Sequence, residues 1–203
     1  MDVELNEIEA RIVGCLIEKE NATPDYYPLT LNALTNACNQ KSNRNPVVSY
    51  SEETVEEALE SLLAKDLVYL FYGSGSRTPK YKHLVPRILR ISHPETAVLC
   101  VLLLRGAPTL GELNQRTNRI YQFSGLDQVN ETVEEMIRRD EPLLVRLPKQ
   151  PGQKEARFAH LLSGEVETDI TSSENTAPVS GASGNLSDKV ESMQKEIDEL
   201  REE

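Results

Sequence analysis

The amino-acid sequence predicts a mainly α-helical protein with small β-hairpins, an α+β fold. Apolar residues recur at helical spacing in several separate stretches, and two pairs of β-prone runs are joined by turn residues. The order of these elements, three helices and then a hairpin, occurs twice along the chain. A polar segment at the C-terminal end, poor in residues that could pack, predicts a flexible tail.

The first set of elements begins near Leu5. A stripe through Ile8, Ile12 and Leu16 predicts the first helix, and the apolar positions after "YYPLT" predict the second. The third helix is predicted in "SEETVEEALESLLAKD", where Ser51 is a good N-cap and the early glutamates favour the positive end of the helix. The runs "LVYLFY" and "PKYKHLV", joined by "GSGSRT", predict a hairpin.

The second set repeats the first. The segment "EARIVGCLIEK" (9–19) matches "ETAVLCVLLLR" (95–105) at a shift of 86 residues. In the same order, "PLTLNAL", "TVEEALESLL" and "YKHL" match "APTLGEL", "QVNETVEEMI" and "FAHL". A repeat of three helices and a hairpin predicts tandem winged-helix domains, residues 1–88 and 89–164, each with a small core of its own.

The composition changes after residue 164. Residues 165–186 are predicted to form a flexible linker. In residues 187–203 apolar side chains recur at the spacing of a coiled-coil seam, which predicts a short amphipathic helix. Two interpretations stay open: a weak dimerisation helix that would make a homodimer, or a frayed or back-docked tail, because isolated helices under ~15 residues barely form in water.

Composition and charge exclude several classes of protein. The longest apolar stretch, residues 97–104, is far shorter than the ~20 residues of a membrane span, and no signal peptide opens the chain, so we expect a cytoplasmic protein without membrane association. Cys15, Cys38 and Cys100 show no pairing or ligand spacing, so we expect reduced core thiols, no metal and no cofactor.

The net charge of −11 is unevenly distributed. From Glu165 onward, eleven acidic and three basic residues contribute −8, which leaves −3 on the preceding 164 residues. The part of the chain predicted to fold is therefore nearly neutral. Overall acidity does not exclude a nucleic-acid surface, but it removes the simplest argument for one.

The predicted third helix is unusual for a DNA reader. Winged-helix domains commonly place this helix in the major groove, yet residues 51–66 carry six acids and one lysine, which would repel phosphates. Glu53, Glu56 and Glu60 are instead candidates for binding a basic protein partner. The simpler interpretation of these glutamates is a solvated helix face.

Cationic residues collect in the loops near the second helices and in the hairpins. The candidate nucleic-acid-binding residues are Lys41, Arg44, Arg77, Lys80 and Lys82 in the first set and Arg116, Arg119, Lys149, Lys154 and Arg157 in the second. They would let wings and loops contact phosphates. Alternatively, the hairpin tips are basic and glycine-rich for solubility and turn geometry.

The loop "CNQKSNRNPVV" also allows two interpretations. Its Asn and Gln side chains can bond base edges or phosphates. They can equally bond the backbone of the loop itself. We favour a structural loop with an exposed Arg44.

Five segments carry a resemblance to a known family: "EARIVGCLIEK", "TPDYYPLTLNALTNACNQKSNRNPV", "LLLRGAPTLGELNQRTNR", "YQFS" and "HLLSGEVE". They cover about residues 5–167, and the pattern resembles the YceH-like family of bacterial proteins. The resemblance implies a duplicated winged helix and, by analogy only, a DNA-binding or regulatory role.

Three functions compete. An enzyme is not expected, because no Gly-rich phosphate loop before a helix, nucleophile elbow or titratable cluster is visible in the sequence. The leading hypothesis is a DNA-associated transcriptional regulator that contacts double-stranded DNA through wings and loops. The alternative is a protein–protein interaction module that uses its acidic third helices and binds no DNA.

Overall fold

The computed structural model describes residues 3–73, 78–149 and 152–164, all within one compact unit. The first half contains helix α1 (Glu7–Ala22), a 3₁₀ turn (Pro24–Tyr26), helices α2 (Leu31–Cys38) and α3 (Glu52–Ala64), and strands β1 (Val68–Phe71) and β2 (Lys80–His83). The one-turn helix α4 (Val85–Ile88), which the sequence did not predict, closes the first half. The second half contains helices α5 (His93–Arg105), α6 (Leu110–Arg116) and α7 (Leu126–Ile137), and strands β3 (Leu144–Leu147) and β4 (Arg157–His160). The predicted α+β class is confirmed.

Three predictions lie outside the described residues. They are the nucleic-acid contact of Arg77, the linker at 165–186 and the amphipathic helix at 187–203.

Local capping sets where the helices begin. Ser51 is the N-cap of α3, as predicted, and its hydroxyl accepts a hydrogen bond from the Thr54 backbone N–H at 3.2 Å. Thr109 is the N-cap of α6, and the Glu112 carboxylate accepts a hydrogen bond from the Thr109 backbone N–H at 2.9 Å. This capping box also fixes the position of Glu112, which pairs with Arg116 and Arg157.

The two hairpins are antiparallel and equivalent in register. Phe71 pairs with Lys80 and Leu147 pairs with Arg157 at the ends nearest the turns. Side chains alternate between the two faces of a strand, so every second residue can face the helices. This places Tyr81 and Phe158, which the sequence match aligns, in buried positions.

The first helices of the two halves pack against each other. Ile12 and Leu16 of α1 and Leu102 of α5 are almost fully buried. At Gly14 the two helices approach closely, since the Cys100 thiol donates to the Gly14 carbonyl at 3.3 Å.

The buried side chains of both halves form one continuous cluster. The expectation of a separate small core in each half is wrong, because α1 and α5 bury apolar faces on each other. The domain boundaries 1–88 and 89–164 stay a prediction.

Within the described ranges, no single helix is long and apolar enough to cross a membrane. The pair α5 and α6, bent by 103°, reaches that length and composition when the two helices are taken together.

Candidate nucleic-acid interface

Loops from both halves enclose a polar groove at the C-terminal end of α1. The groove has a volume of about 800 Å³ and contains Lys41 from the first half and Arg119 from the second. Both of these predicted cations are exposed. Its full lining is Glu18, Lys19, Asn21, Ala22, Thr23, Gln40, Lys41, Ser42, Asn43 and Arg119. We call it the loop groove.

A second polar cavity of about 470 Å³ adjoins the loop groove through their common residue Asn43. We call it the arginine cleft, and it is lined by Asn43, Arg44, Asn45, Arg105, Ala107, Glu112, Arg116 and Arg157. These residues come from the asparagine-rich loop, the end of α5, α6 and the start of β4. Residues distant in sequence therefore place three partly exposed guanidinium groups, those of Arg105, Arg116 and Arg157, around one cavity.

Arg116 and Arg157 share one carboxylate in the arginine cleft. Arg116 Nη2 lies 2.7 Å from Glu112 Oε1, and Arg157 Nη1 lies 3.3 Å from Glu112 Oε2. Arg157 also donates to the Ala107 carbonyl at 2.6 Å. Both arginine side chains stay partly exposed, at 27% and 40%, so they can still meet a ligand in the cleft.

Arg44 is buried, and the expectation that it is exposed is wrong. Its side chain has no accessible surface, and Nη2 lies 2.7 Å from Glu18 Oε2. Nε and Nη2 both donate to the Ala37 carbonyl, at 3.1 and 3.0 Å, and Nη2 lies 3.4 Å from Cys15 Sγ. Burial by itself would lower the pKa of Arg44, but the hydrogen bond and charge of Glu18, together with the contribution of Cys15, outweigh burial and raise the pKa. Arg44 ties its loop to α1 and α2 and is not a surface cation.

The asparagine-rich loop is held mainly by its own polar groups. The Asn39 side chain accepts from the Tyr50 backbone N–H and donates to the Tyr50 carbonyl, both at 2.8 Å, which closes the loop at its base. The Asn43 side chain accepts a hydrogen bond from Arg105. The structural interpretation therefore holds for Asn39, whereas the Asn43 side chain bonds a side chain of the second half and Lys41 remains at the surface.

The hairpin cations occupy different environments. Lys82 lies 3.7 Å from Glu20 and 5.9 Å from the centre of the Tyr27 ring, and Lys80 is half-buried beside the turn. In the second hairpin, Lys149 and Lys154 are exposed, and the Lys149 ammonium donates to the Lys154 carbonyl at 3.1 Å. Arg157, which lines the arginine cleft, begins β4, so the cleft and the two exposed lysines share the second hairpin.

Helix α3 carries its acids outward. Glu53, Glu56 and Glu60 are exposed, whereas Val55 and Leu59 on the opposite face are buried. The helix therefore presents carboxylates to solvent, as its spacing predicts. Among the described residues, no group of three or more metal-ligating side chains is found.

The comparisons with known proteins decide the family. The model of "Protein of unknown function, DUF480" matches residues 5–153. A UPF0502 protein of Geobacter sulfurreducens is 52% identical over 90% of this chain and 82% of its own length. The UPF0502 proteins of Pelobacter propionicus and Vibrio atlanticus are 47% and 44% identical over the whole chain, covering 93% and 94% of their lengths.

The chain belongs to the DUF480 family, also called UPF0502. The resemblance to an uncharacterised bacterial family is confirmed at this level. The region matched by the DUF480 model contains Lys41, Arg105, Arg116 and Arg119, whereas Arg157 follows it.

Two cations of this DUF480 chain were missed by sequence reasoning. Lys19 lines the loop groove and Arg105 lines the arginine cleft. Each is the last residue of a largely apolar helical segment, where a basic residue is common because it favours the negative end of the helix dipole. The repeat contained the missing signal, because the shift of 86 residues superposes Lys19 on Arg105.

Proposed function

We propose that this chain is a DNA-associated regulator, built from two winged-helix units, that contacts duplex phosphates through its loops and second hairpin. One observation carries the proposal. Lys41 and Arg119, from opposite halves of the chain, line the same groove and are exposed. Two exposed cations held on one compact unit can meet phosphates without the entropy cost of folding a separate segment.

The acidic helix α3 fits this proposal only if DNA approaches from the loop groove. Glu53 and Glu56 point into solvent and would be repelled by phosphates, so α3 does not enter the major groove in this mode. Contacts made by loops and hairpin to the DNA backbone would position the protein without reading base sequence directly. Any sequence preference would then come from DNA shape or from a few loop side chains such as Gln40.

The test compares two double variants that lose equal charge. Duplex binding is measured by fluorescence anisotropy at several salt concentrations, with Lys41→Ala/Arg119→Ala against Arg87→Ala/Arg138→Ala. Arg87 and Arg138 are exposed cations that do not line the groove.

The groove variant should bind more weakly than the native protein. Loss of two phosphate contacts should reduce the slope of log K against log salt by about 1.8, at about 0.9 per contact, while the control keeps the native slope. Equal weakening in both variants would show an effect of net charge alone and reject the groove. Absence of binding by the native protein at low salt would reject the DNA function.

The exposed face of α3 favours a second candidate, a protein-interaction module without DNA binding. Glu53, Glu56 and Glu60 form an acidic row that fits a basic partner. Reversal of all three to Lys should abolish co-purification of that partner. The matched control reverses the exposed acids Asp25, Asp140 and Glu155, which lie outside both acidic third helices. Co-purification that survives the α3 reversal would remove this face from the interface.

A further inference from the structure

The arginine cleft carries more positive charge than its own carboxylate neutralises. Three partly exposed guanidinium groups line it, those of Arg105, Arg116 and Arg157, while the buried side chain of Arg44 is already paired with Glu18. Among the described residues of the lining, the one carboxylate is that of Glu112, which is shared between Arg116 and Arg157. Three positive charges against one negative charge leave a surplus of two in a cavity of about 470 Å³.

Arg105 is the least compensated of these groups. Its guanidinium donates to the neutral side chain of Asn43, and among the described residues no carboxylate forms a salt bridge with it. Burial, and then the nearby Arg116, lower the pKa of Arg105, while Glu18 acts in the opposite direction. An anion beside Arg105 would relieve this repulsion and replace lost hydration.

The donors around the cleft are fixed before any ligand arrives. Glu112 holds Arg116 and Arg157 in place and is itself fixed by the capping box of α6. Arg105 is held by Asn43, whose loop is anchored by the buried Arg44. Preorganised guanidinium groups bind phosphate through paired, charge-assisted hydrogen bonds with little further ordering.

We propose that the arginine cleft is a binding site for a dianionic phosphate, either inorganic phosphate or the terminal phosphate of a small molecule. The surplus of two charges matches a phosphate monoester, which carries nearly two negative charges near neutral pH. A backbone phosphodiester carries one and would leave the cleft uncompensated. The ligand contacts Arg105 together with the exposed parts of Arg116 and Arg157. This site does not depend on DNA binding and is tested without DNA.

Isothermal titration calorimetry with inorganic phosphate at pH 7.5 tests the site, with chloride adjusted to constant ionic strength. The native protein should show saturable binding with one site per chain. Arg105→Gln, which keeps an amide able to bond Asn43, should weaken the affinity at least about tenfold. Arg157→Gln should weaken it similarly, and Arg138→Gln, at a side chain that is 77% exposed, should leave it unchanged.

Two results would overturn the assignment. The first is absence of saturable binding by the native protein. The second is unchanged affinity in both Arg105→Gln and Arg157→Gln, provided that their circular dichroism spectra match that of the native protein.

Comparison of ligands distinguishes the source of the phosphate. A small phosphate monoester that competes with inorganic phosphate would support a free ligand. Dimethyl phosphate, a diester, should bind at least about tenfold more weakly, and equal affinity for it would overturn the dianion assignment. If the native protein binds phosphate but no duplex, the cleft stands while the proposed function fails. If the native protein binds duplex but no phosphate, the proposed function stands while the cleft assignment fails.

Discussion

The close approach of α1 and α5 at Gly14 makes this glycine sensitive to the smallest substitution. A Cβ placed on Gly14 would lie 2.8 Å from both Cγ and Cδ2 of Leu104 and 3.1 Å from Cβ of Leu103. Both leucines are nearly fully buried, so neither side chain can move into solvent. Relief would require α1 and α5 to separate, which disturbs the core that joins the two halves.

The expected cost follows from overpacking. Extra atoms forced into a packed core destabilise by about 1–3 kcal/mol. Alanine is otherwise favoured over glycine inside a helix, so a variant without the clash should gain stability. Gly111→Ala in α6 supplies that comparison, because the atom nearest to the added Cβ, Thr109 Oγ1, would lie at 3.9 Å.

Differential scanning calorimetry of Gly14→Ala and Gly111→Ala measures the difference. One kcal/mol shifts Tm by about 2–4 °C in a unit of this size, so Gly14→Ala should melt about 2–12 °C below Gly111→Ala. A Tm for Gly14→Ala equal to or above that of Gly111→Ala would refute the packing argument.

Two further predictions concern buried charges. Glu18→Gln leaves Arg44 buried without its carboxylate and should lower the free energy of unfolding by about 3–5 kcal/mol in urea titrations, whereas no loss would contradict the ion pair. At Glu9, burial favours a higher pKa, but hydrogen bonds led by that from Lys65 outweigh it and lower the pKa below 4.5. The resulting stability is present above pH 4.5 and is lost as pH falls through the lowered pKa. The free energy of unfolding of Lys65→Met should therefore decrease less between neutral and acidic pH than that of the native protein. An unchanged pH profile would contradict this.

Short-range patterns in the sequence predicted the three main helices and the hairpin of each half, but not the 3₁₀ turn Pro24–Tyr26 or helix α4. The stripe through Val55 and Leu59 faces the core, Ser51 caps α3, and the glutamates of α3 face solvent. Each of these depends on residues within one or two helical turns, where spacing and capping chemistry act directly. The α+β class and the repeated element order follow from the same local rules.

The environment of each cation was decided by tertiary structure. Arg44 was expected at the surface, but its partners Glu18 and Cys15 lie 26 and 29 residues away along the chain. Arg105 was not among the candidate residues predicted from the sequence. Packing brings its guanidinium into hydrogen-bonding contact with Asn43, which lies 62 residues away along the chain.

The sequence by itself therefore determined the helices, the hairpins and the acidic face of α3. Tertiary structure alone decided that α1 and α5 join the halves in one core and that arginines from three segments surround one cleft. The physical reason is the distance along the chain over which the two kinds of interaction act. Helix periodicity and capping are set by neighbours in sequence, whereas the energy of a charged group depends on burial and on partners that only the folded chain brings near.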